Sequence, residues 1–299
     1  MSFLKWPEPW GGYGEFDDTG LNDRIWHWEL AYEINRCNDF KFTILVENKW
    51  WPELNYLSLP NTIGVDEWGE DFKKDCTFFD TNDLDKKQDF KLDTNINWYP
   101  TCGHKFTRCF RNEYEETRPL QLIDIKNKHL KDTIKNMVKK AVGVHIRRGK
   151  GIDSPENLFR ETHSFVGYPH VDNEYYLDTM NKIKEIKFKQ KFYLSSDFSF
   201  SEQRKNLEVF YENFDIIDYN HILEKLNDDV DMNDKYFDKV LHKKCLINII
   251  DLFSLSYCSF IIMYYNSQFS SFAKDYRNIN HIGYPDEFVP LSYKESMIW

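Results

Sequence analysis

The sequence predicts an α/β protein with a Rossmann-like second half, in which helices cover both faces of a mostly parallel sheet. Three observations point there. From Ala141 onward, short β-branched or aromatic runs alternate with helical stretches of roughly 10–15 residues, the pattern of βαβ units. Three of the runs end in polar clusters, as expected where a ligand sits beyond the carboxyl ends of parallel strands. The length of 299 residues suits two domains at the loose prior of about 150 residues each. The change of texture sets their limits at 1–140 and 141–299.

In the first half, residues 20–23 make a turn-rich helix start, Ile25 and Trp26 through Ile34 give a helical stripe, and 42–46 form a β-branched strand. Residues 66–98 are acidic and lack an apolar period, so they read as a solvated, irregular excursion. Leu122, Ile125, Leu130, Ile134 and Val138 mark an amphipathic helix over 120–140. In the second half the order is AVGVHI (strand), EYYLDTMNKIKEI (helix), KFYLSS (strand), SEQRKNLEVFYENF (helix) and DIIDY (strand). A charged loop follows, then a helix over 239–257, a strand over 259–265 and the helix SSFAKDYRN. The stretch 245–265 is long and apolar enough to suggest a membrane span, but Asp251 lies near its centre, where a carboxylate is costly in lipid. Its helical spacing at Leu241, Cys245, Ile249, Leu252 and Leu255 gives way to a compact block at 260–265, which indicates a buried helix followed by a core strand.

Lys and Arg total 39 against 49 Asp and Glu, a formal charge of −10. That balance argues against nucleic acid or anionic lipid held by the protein's overall field, though not against one local anion pocket. Arginine is scarce: ten of the 39 basic residues, leaving 29 lysines, and Arg147-Arg148 is the one adjacent pair. The guanidinium fork suits bidentate recognition of phosphate. The amino terminus has no basic start followed by an apolar run, so no signal or transit peptide is expected, and no N-x-[ST] sequon occurs; both fit a cytoplasmic protein. The cysteines at 37, 76, 102, 109, 245 and 258 show no repeated C-x-x-C spacing and read as reduced thiols, mostly buried. Cys102, His104 and Cys109 lack a fourth metal ligand at familiar spacing.

Chemistry is expected at three strand ends. VGVHIRRGKGID puts His145, Arg147 and Arg148 at the end of the first strand, before Gly149 and Gly151 in a turn where backbone can approach a ligand. FYLSSDFSF ends on Ser195, Ser196 and Asp197, an acidic residue that serves either as a base or ribose acceptor or as a helix cap. FIIMYYNSQFSSFAKDYR passes from strand to helix through Asn266, Ser267, Gln268, Ser270 and Ser271, a hydroxyl-rich helix start of the kind that receives anions. His163 and His170 are read as loop histidines. Converging on one crevice, the three clusters describe a nucleoside-diphosphate site. The two Asp-x-Asp matches, Asp83-x-Asp85 and Asp229-x-Asp231, follow no apolar strand, and no GxxxxGK[ST] loop is present. A cationic clamp would then neutralise the leaving diphosphate without metal or other cofactor.

VGVHIRRGKGID resembles the first motif of the metal-independent GDP-fucose fucosyltransferase clan, close to VGVHxRxG, and its glycines with Asp153 look most like the nodulation-type and core α1,6 branch. FYLSSD is similar to the clan's second motif, DLFSLSYCSFIIMYYNSQFSSFA to its third, and GLNDRIWHWELAYEI to its Gly-rich loop and helix. The resemblance implies a GT-B architecture of two Rossmann-like domains with the nucleotide-sugar site in the cleft. It also implies metal-free, inverting transfer of fucose from GDP-fucose to a glycan hydroxyl, of α1,6 type. By position, Arg147 would clamp the β-phosphate with His145 and Arg148 in support. Asp197 would accept from guanine; Ser267, Gln268, Ser270 and Ser271 would meet the phosphates; Asn22 and Asp23 would approach the sugar. Asp153 or Glu156 would be the base, with Asp153 preferred. Lys150 stands where many members have Asp or Asn. Two other readings remain: a transferase using another GDP-sugar, and a non-catalytic nucleotide- or carbohydrate-binding module with Trp6, Trp10, Trp26, Trp28, Trp50 and Trp51 as a stacking surface.

Overall fold

The computed structural model describes residues 2–5, 21–48, 51–66, 75–80, 91–101, 118–146, 173–187, 189–196, 200–226, 239–264, 267–282 and 288–291. The strands are β1 (Ser2–Lys5), β2 (Phe42–Glu47), β3 (Leu57–Ser58), β4 (Thr62–Val65), β5 (Cys76–Asp80), β6 (Asn97–Thr101), β7 (Asp124–Ile125), β8 (Val142–Ile146), β9 (Lys191–Ser196), β10 (Asp215–Ile217), β11 (Phe260–Tyr264) and β12 (Phe288–Leu291). The α-helices are α1 (Leu21–Cys37), α2 (Lys128–Val138), α3 (Asn173–Ile186), α4 (Phe200–Asn213), α5 (Tyr219–Leu226), α6 (Lys239–Tyr257) and α7 (Gln268–Ile279). They form two compact units, 1–127 with 231–249, and 128–230 with 250–299, so α6 contributes to both.

The first unit carries a five-stranded sheet in the order β4-β2-β1-β6-β5, parallel throughout. Helix α1, the crossover from β1 to β2, buries Ile25, Trp28, Ala31 and Ile34, but also Arg24, His27, Glu29, Glu33 and Asn35. Buried polar groups persist only when paired, and several pairs are evident. Arg118 grips Glu29 with two bonds of 3.0 and 2.9 Å. Asn35 donates to the carbonyl of Phe42 at 2.8 Å and accepts from its N–H at 3.0 Å, which fixes the start of β2 on the helix.

The second unit has the order β10-β9-β8-β11-β12, again parallel. Renumbered within the unit, that is 3-2-1-4-5, the order of a Rossmann half extended past its switch point. Alternation splits the strands between two faces. Val142, Val144, Ile146, Phe192 and Leu194 pack with Tyr176 and Met180 of α3 and with Leu207 and Phe210 of α4. Gly143, His145, Tyr193 and Ser195 alternate with them. A Cβ on Gly143 would meet Leu255 Cδ2 at 3.0 Å and Cys258 Sγ at 3.2 Å, so this glycine lets the end of α6 lie directly on β8.

Three sequence expectations need correction. Part of the excursion at 66–98 is structured: CTFFD forms β5, paired in register with β6. As an edge strand it leaves Thr77 and Phe78 exposed, which erases the apolar period. The helix drawn over 120–140 begins only at Lys128. Before it, a 3₁₀ turn opens at Pro119 and Asp124–Ile125 pairs antiparallel with Leu57–Ser58, so Leu122 and Ile125 belong to other elements. The charged loop after DIIDY begins with helix α5, whose buried Ile222 and Leu226 are four residues apart. The 245–265 stretch is the expected helix and strand, and among the described residues no helix is long and apolar enough to cross a membrane.

Candidate functional site

In an open parallel sheet the strand order reverses at one point, and the crevice outside the carboxyl ends of the two strands there receives ligands. Here those strands are β8 and β11, paired through Phe260 with Val142 and Ile262 with Val144. The register with β9 brings His145 beside Ser195 and Ile146 beside Ser196 at the same edge. Helix α7 begins four residues after β11, so its amino-terminal turn opens at this end of the sheet.

A hydrogen bond between His145 Nδ1 and Ser270 Oγ ties β8 to α7. The imidazole also lies against the ring of Phe269, with centroids 5.3 Å apart. Ser267 caps α7, its hydroxyl accepting from the Ser270 N–H at 3.5 Å, while the Ser271 N–H donates to the Ser267 carbonyl at 2.9 Å. His145, Ser195, Ser267 and Ser270 are each no more than 3 % exposed. This arrangement fixes the strand end and the helix start relative to each other, and leaves the helix-start dipole to act on an anion above it.

On the same face, the Tyr193 hydroxyl donates to Asp251 Oδ1 at 2.6 Å. Burial pushes the Asp251 carboxyl up to about 7, against the hydrogen bonds from Tyr193 and Ser195 and with the charge of Asp218 adding to the rise. The Tyr193 phenol is pushed well above its ordinary value by burial and by Asp251. At the carboxyl end of β10, Asp218 accepts from Tyr211 Oη at 2.7 Å and from the N–H groups of Asn220 and His221 at 3.0 and 3.2 Å, and its Oδ1 lies 2.7 Å from His221 Nδ1. Burial raises Asp218, but the bonds from Tyr211 and His221 outweigh it and leave the carboxyl below its ordinary value. Asp218 follows the end of β10, whereas Asp251 is buried on α6 against Tyr193 in the middle of β9. In the sequence Asp251 is marked only by its isolation as the single charge in an apolar run.

The first unit offers the start of α1, where Asn22 and Asp23 occupy the second and third helical positions. Arg24, the next residue, donates through Nε to Glu53 Oε1 at 2.5 Å, and both are buried. Trp28 and Trp51 are core residues at 1 % and 2 % exposure, which removes them from any sugar-stacking surface. Trp6, Trp10 and Trp50 lie outside the described residues.

Of the residues singled out in the sequence, the structure brings together His145, Ser267, Ser270 and Ser271. Gln268 opens α7. Arg147, Arg148, Asp153, Glu156 and Asp197 lie outside the described residues, as do Cys102, His104, Cys109 and both Asp-x-Asp matches. Arg147 follows the last residue of β8 directly in the chain, and Asp197 that of β9. Among the described cysteines, Cys245 and Cys258 are buried and Cys37 and Cys76 are half-buried.

No family model matches the chain, and no curated protein matches it. Solved structures do. POFUT1 in complex with GDP-fucose matches with a TM-score of 0.51 at 8 % identity, over 98 % of each chain. The chain shares the POFUT1 fold. Fucosyltransferase NodZ from Bradyrhizobium matches at a TM-score of 0.46 and 12 % identity, over 91 % of this chain and 92 % of NodZ. A NodZ α1,6-fucosyltransferase soaked with GDP-fucose gives 0.46 and 12 %, over 93 % of each chain. The expected fold class, α/β of GT-B type with parallel sheets, therefore stands.

Proposed function

We propose that this chain is an inverting, metal-independent glycosyltransferase that moves fucose from GDP-fucose to a glycan hydroxyl. The observation that carries the proposal is the hydrogen-bonded crossing of His145 and Ser270 at the switch point, with Arg147-Arg148 following β8 in the chain. The POFUT1 fold, solved with GDP-fucose bound, supports the donor class, and the motif VGVHIRRGKGID supports the α1,6 type.

In the proposed reaction the acceptor oxygen forms a bond to the anomeric carbon as the bond from that carbon to the β-phosphate oxygen breaks. The acceptor's proton passes to Asp153 or Glu156. Negative charge grows on the departing oxygen, where Arg147, supported by Arg148, and the amino-terminal dipole of α7 stabilise the transition state more than the ground state. His145 and Ser270 hold the two elements at the spacing this requires. Asp197 takes the guanine ring, Ser267, Gln268, Ser270 and Ser271 surround the phosphates, and Asn22 and Asp23 serve the sugar side. The test is a panel of GDP-sugars and glycan acceptors scored for both GDP release and glycan mass. A fucosylated product supports the proposal; GDP release from GDP-mannose alone would point to another GDP-sugar, and GDP binding with no transfer to a binding module.

A further inference from the structure

We propose that the amino-terminal edge of the second unit's sheet is a docking surface for an anionic lipid bilayer. In a parallel βαβ layer, helices return to the edge where the next strand starts, so the ends of α2, α3 and α4 meet the starts of β8, β9 and β10. Lysines gather there. Lys135 lies in the last turn of α2, with Lys139 and Lys140 after it; Lys182 and Lys184 end α3; Lys187 and Lys189 follow, and Lys191 opens β9.

The two lysine segments are bound to each other, since the Gln190 side-chain amide donates to the carbonyls of Lys140 and Lys191, each at 2.8 Å. Lys184 reaches the Asn213 carbonyl at the end of α4 at 3.0 Å. Among the described residues at the ends of α2, α3 and α4 and the starts of β8, β9 and β10, these eight lysines stand with three carboxylates, Glu185, Glu212 and Asp215, so 8 − 3 leaves a local charge of +5 in a protein of −10. The ion pair between the two sets among these residues, Lys191 with Asp215 at 3.5 Å, joins side chains 57 % and 61 % exposed, where pairing contributes little.

Helix ends attract lysines for an ordinary reason, the negative end of the dipole. That accounts for Lys135 and Lys184. It does not account for Lys187, Lys189 and Lys191 beyond the helix, nor for Ile186, which stands 83 % exposed among them. A nucleic acid would use the lysines and leave Ile186 in water. A bilayer uses both, because phosphate and carboxylate headgroups attract the cations while the aliphatic side chain enters the acyl boundary. The protein's overall negative charge does not forbid this. A strand of five or six residues separates the two edges of the sheet by about 17–20 Å, more than the ~8 Å over which charge acts in physiological salt. The same separation leaves the β8 and β11 carboxyl ends clear of the membrane.

The test is cosedimentation of the full chain with phosphatidylcholine vesicles, with and without phosphatidylserine, at low and high salt. Binding is expected only to the phosphatidylserine vesicles and only at low salt. The triple variant Lys139→Gln, Lys187→Gln, Lys189→Gln should lower partitioning on the order of 100-fold, at about fivefold per lysine. Ile186→Ser should weaken binding while leaving its salt dependence unchanged, and Lys41→Gln in the first unit should have no effect. Coincident thermal melts would show that the variants remain folded. Equal binding to neutral vesicles, no binding at low salt, or wild-type binding by the triple variant would overturn the proposal. So would binding to duplex DNA in place of vesicles.

Discussion

Tyr193 on β9 donates its phenolic hydrogen to Asp251 on α6 across 2.6 Å, in a part of the second unit closed to solvent. A carboxyl held at about 7 by burial is protonated in the folded state between its unfolded value near 4 and neutrality, while the unfolded chain is ionised. Folding therefore takes up a proton in that window. The stabilisation is complete below about pH 4 and is lost as pH rises through 7.

Comparison of the wild type with Asp251→Asn isolates this effect. The difference in unfolding free energy should change by about 1.4 kcal/mol per pH unit between pH 5 and 7, the wild type losing ground as pH rises. Chemical denaturation at several pH values measures it. A difference that does not vary with pH would mean that Asp251 titrates as an ordinary carboxylate.

Arg118 and Glu29 are buried at 4 % and 3 % exposure and joined by two bonds. Arg118→Ala leaves a carboxylate in the core of the first unit and should cost about 3–5 kcal/mol. The paired replacement Arg118→Met with Glu29→Leu should cost much less, because no charge is left alone. Urea titrations of both variants provide the check, and equal costs would contradict the assignment.

Gly143→Ala should destabilise the second unit by roughly 1–3 kcal/mol, since the new methyl meets Leu255 and Cys258 inside van der Waals contact. Pairing it with Leu255→Ala should recover part of the loss in a thermal melt. No recovery would place the cost elsewhere than in this contact.

Ser270→Ala removes the hydroxyl that meets the buried His145 Nδ1. Loss of a hydrogen bond worth about 1 kcal/mol should weaken GDP binding several-fold and lower transfer at least as much. Calorimetry with GDP reads the first effect, and unchanged affinity would remove the His145–Ser270 crossing from the site.

The legible parts of the fold were those in which burial dictates residue type. β8, β9 and β11 stood out because Val142, Val144, Phe192, Leu194, Ile261 and Ile262 are all buried, and a strand covered on both faces reads as a continuous apolar run. β5 did not, because an exposed edge tolerates Thr77 and Phe78. The true length of α2 was hidden because the pairing of Asp124–Ile125 with Leu57–Ser58 is a tertiary choice that no local period records. In the site, the strand ends were found by their polar residues. The partners were not: His145 and Ser270 are 125 positions apart, and Tyr193 and Asp251 are 58 apart. Such pairs become visible only once the strand order is known.

The role proposed for the chain immediately after β8 is tested by fucosyl transfer from GDP-fucose by the wild type, Arg147→Ala and Arg147→Lys. The proposed clamp predicts a loss of about 100- to 1000-fold for Arg147→Ala, equivalent to about 2.7–4 kcal/mol of transition-state stabilisation. A large loss is also expected for Arg147→Lys, because an ammonium cannot reproduce the bidentate fork. Near-normal turnover in both variants would show that Arg147 does not hold the departing diphosphate.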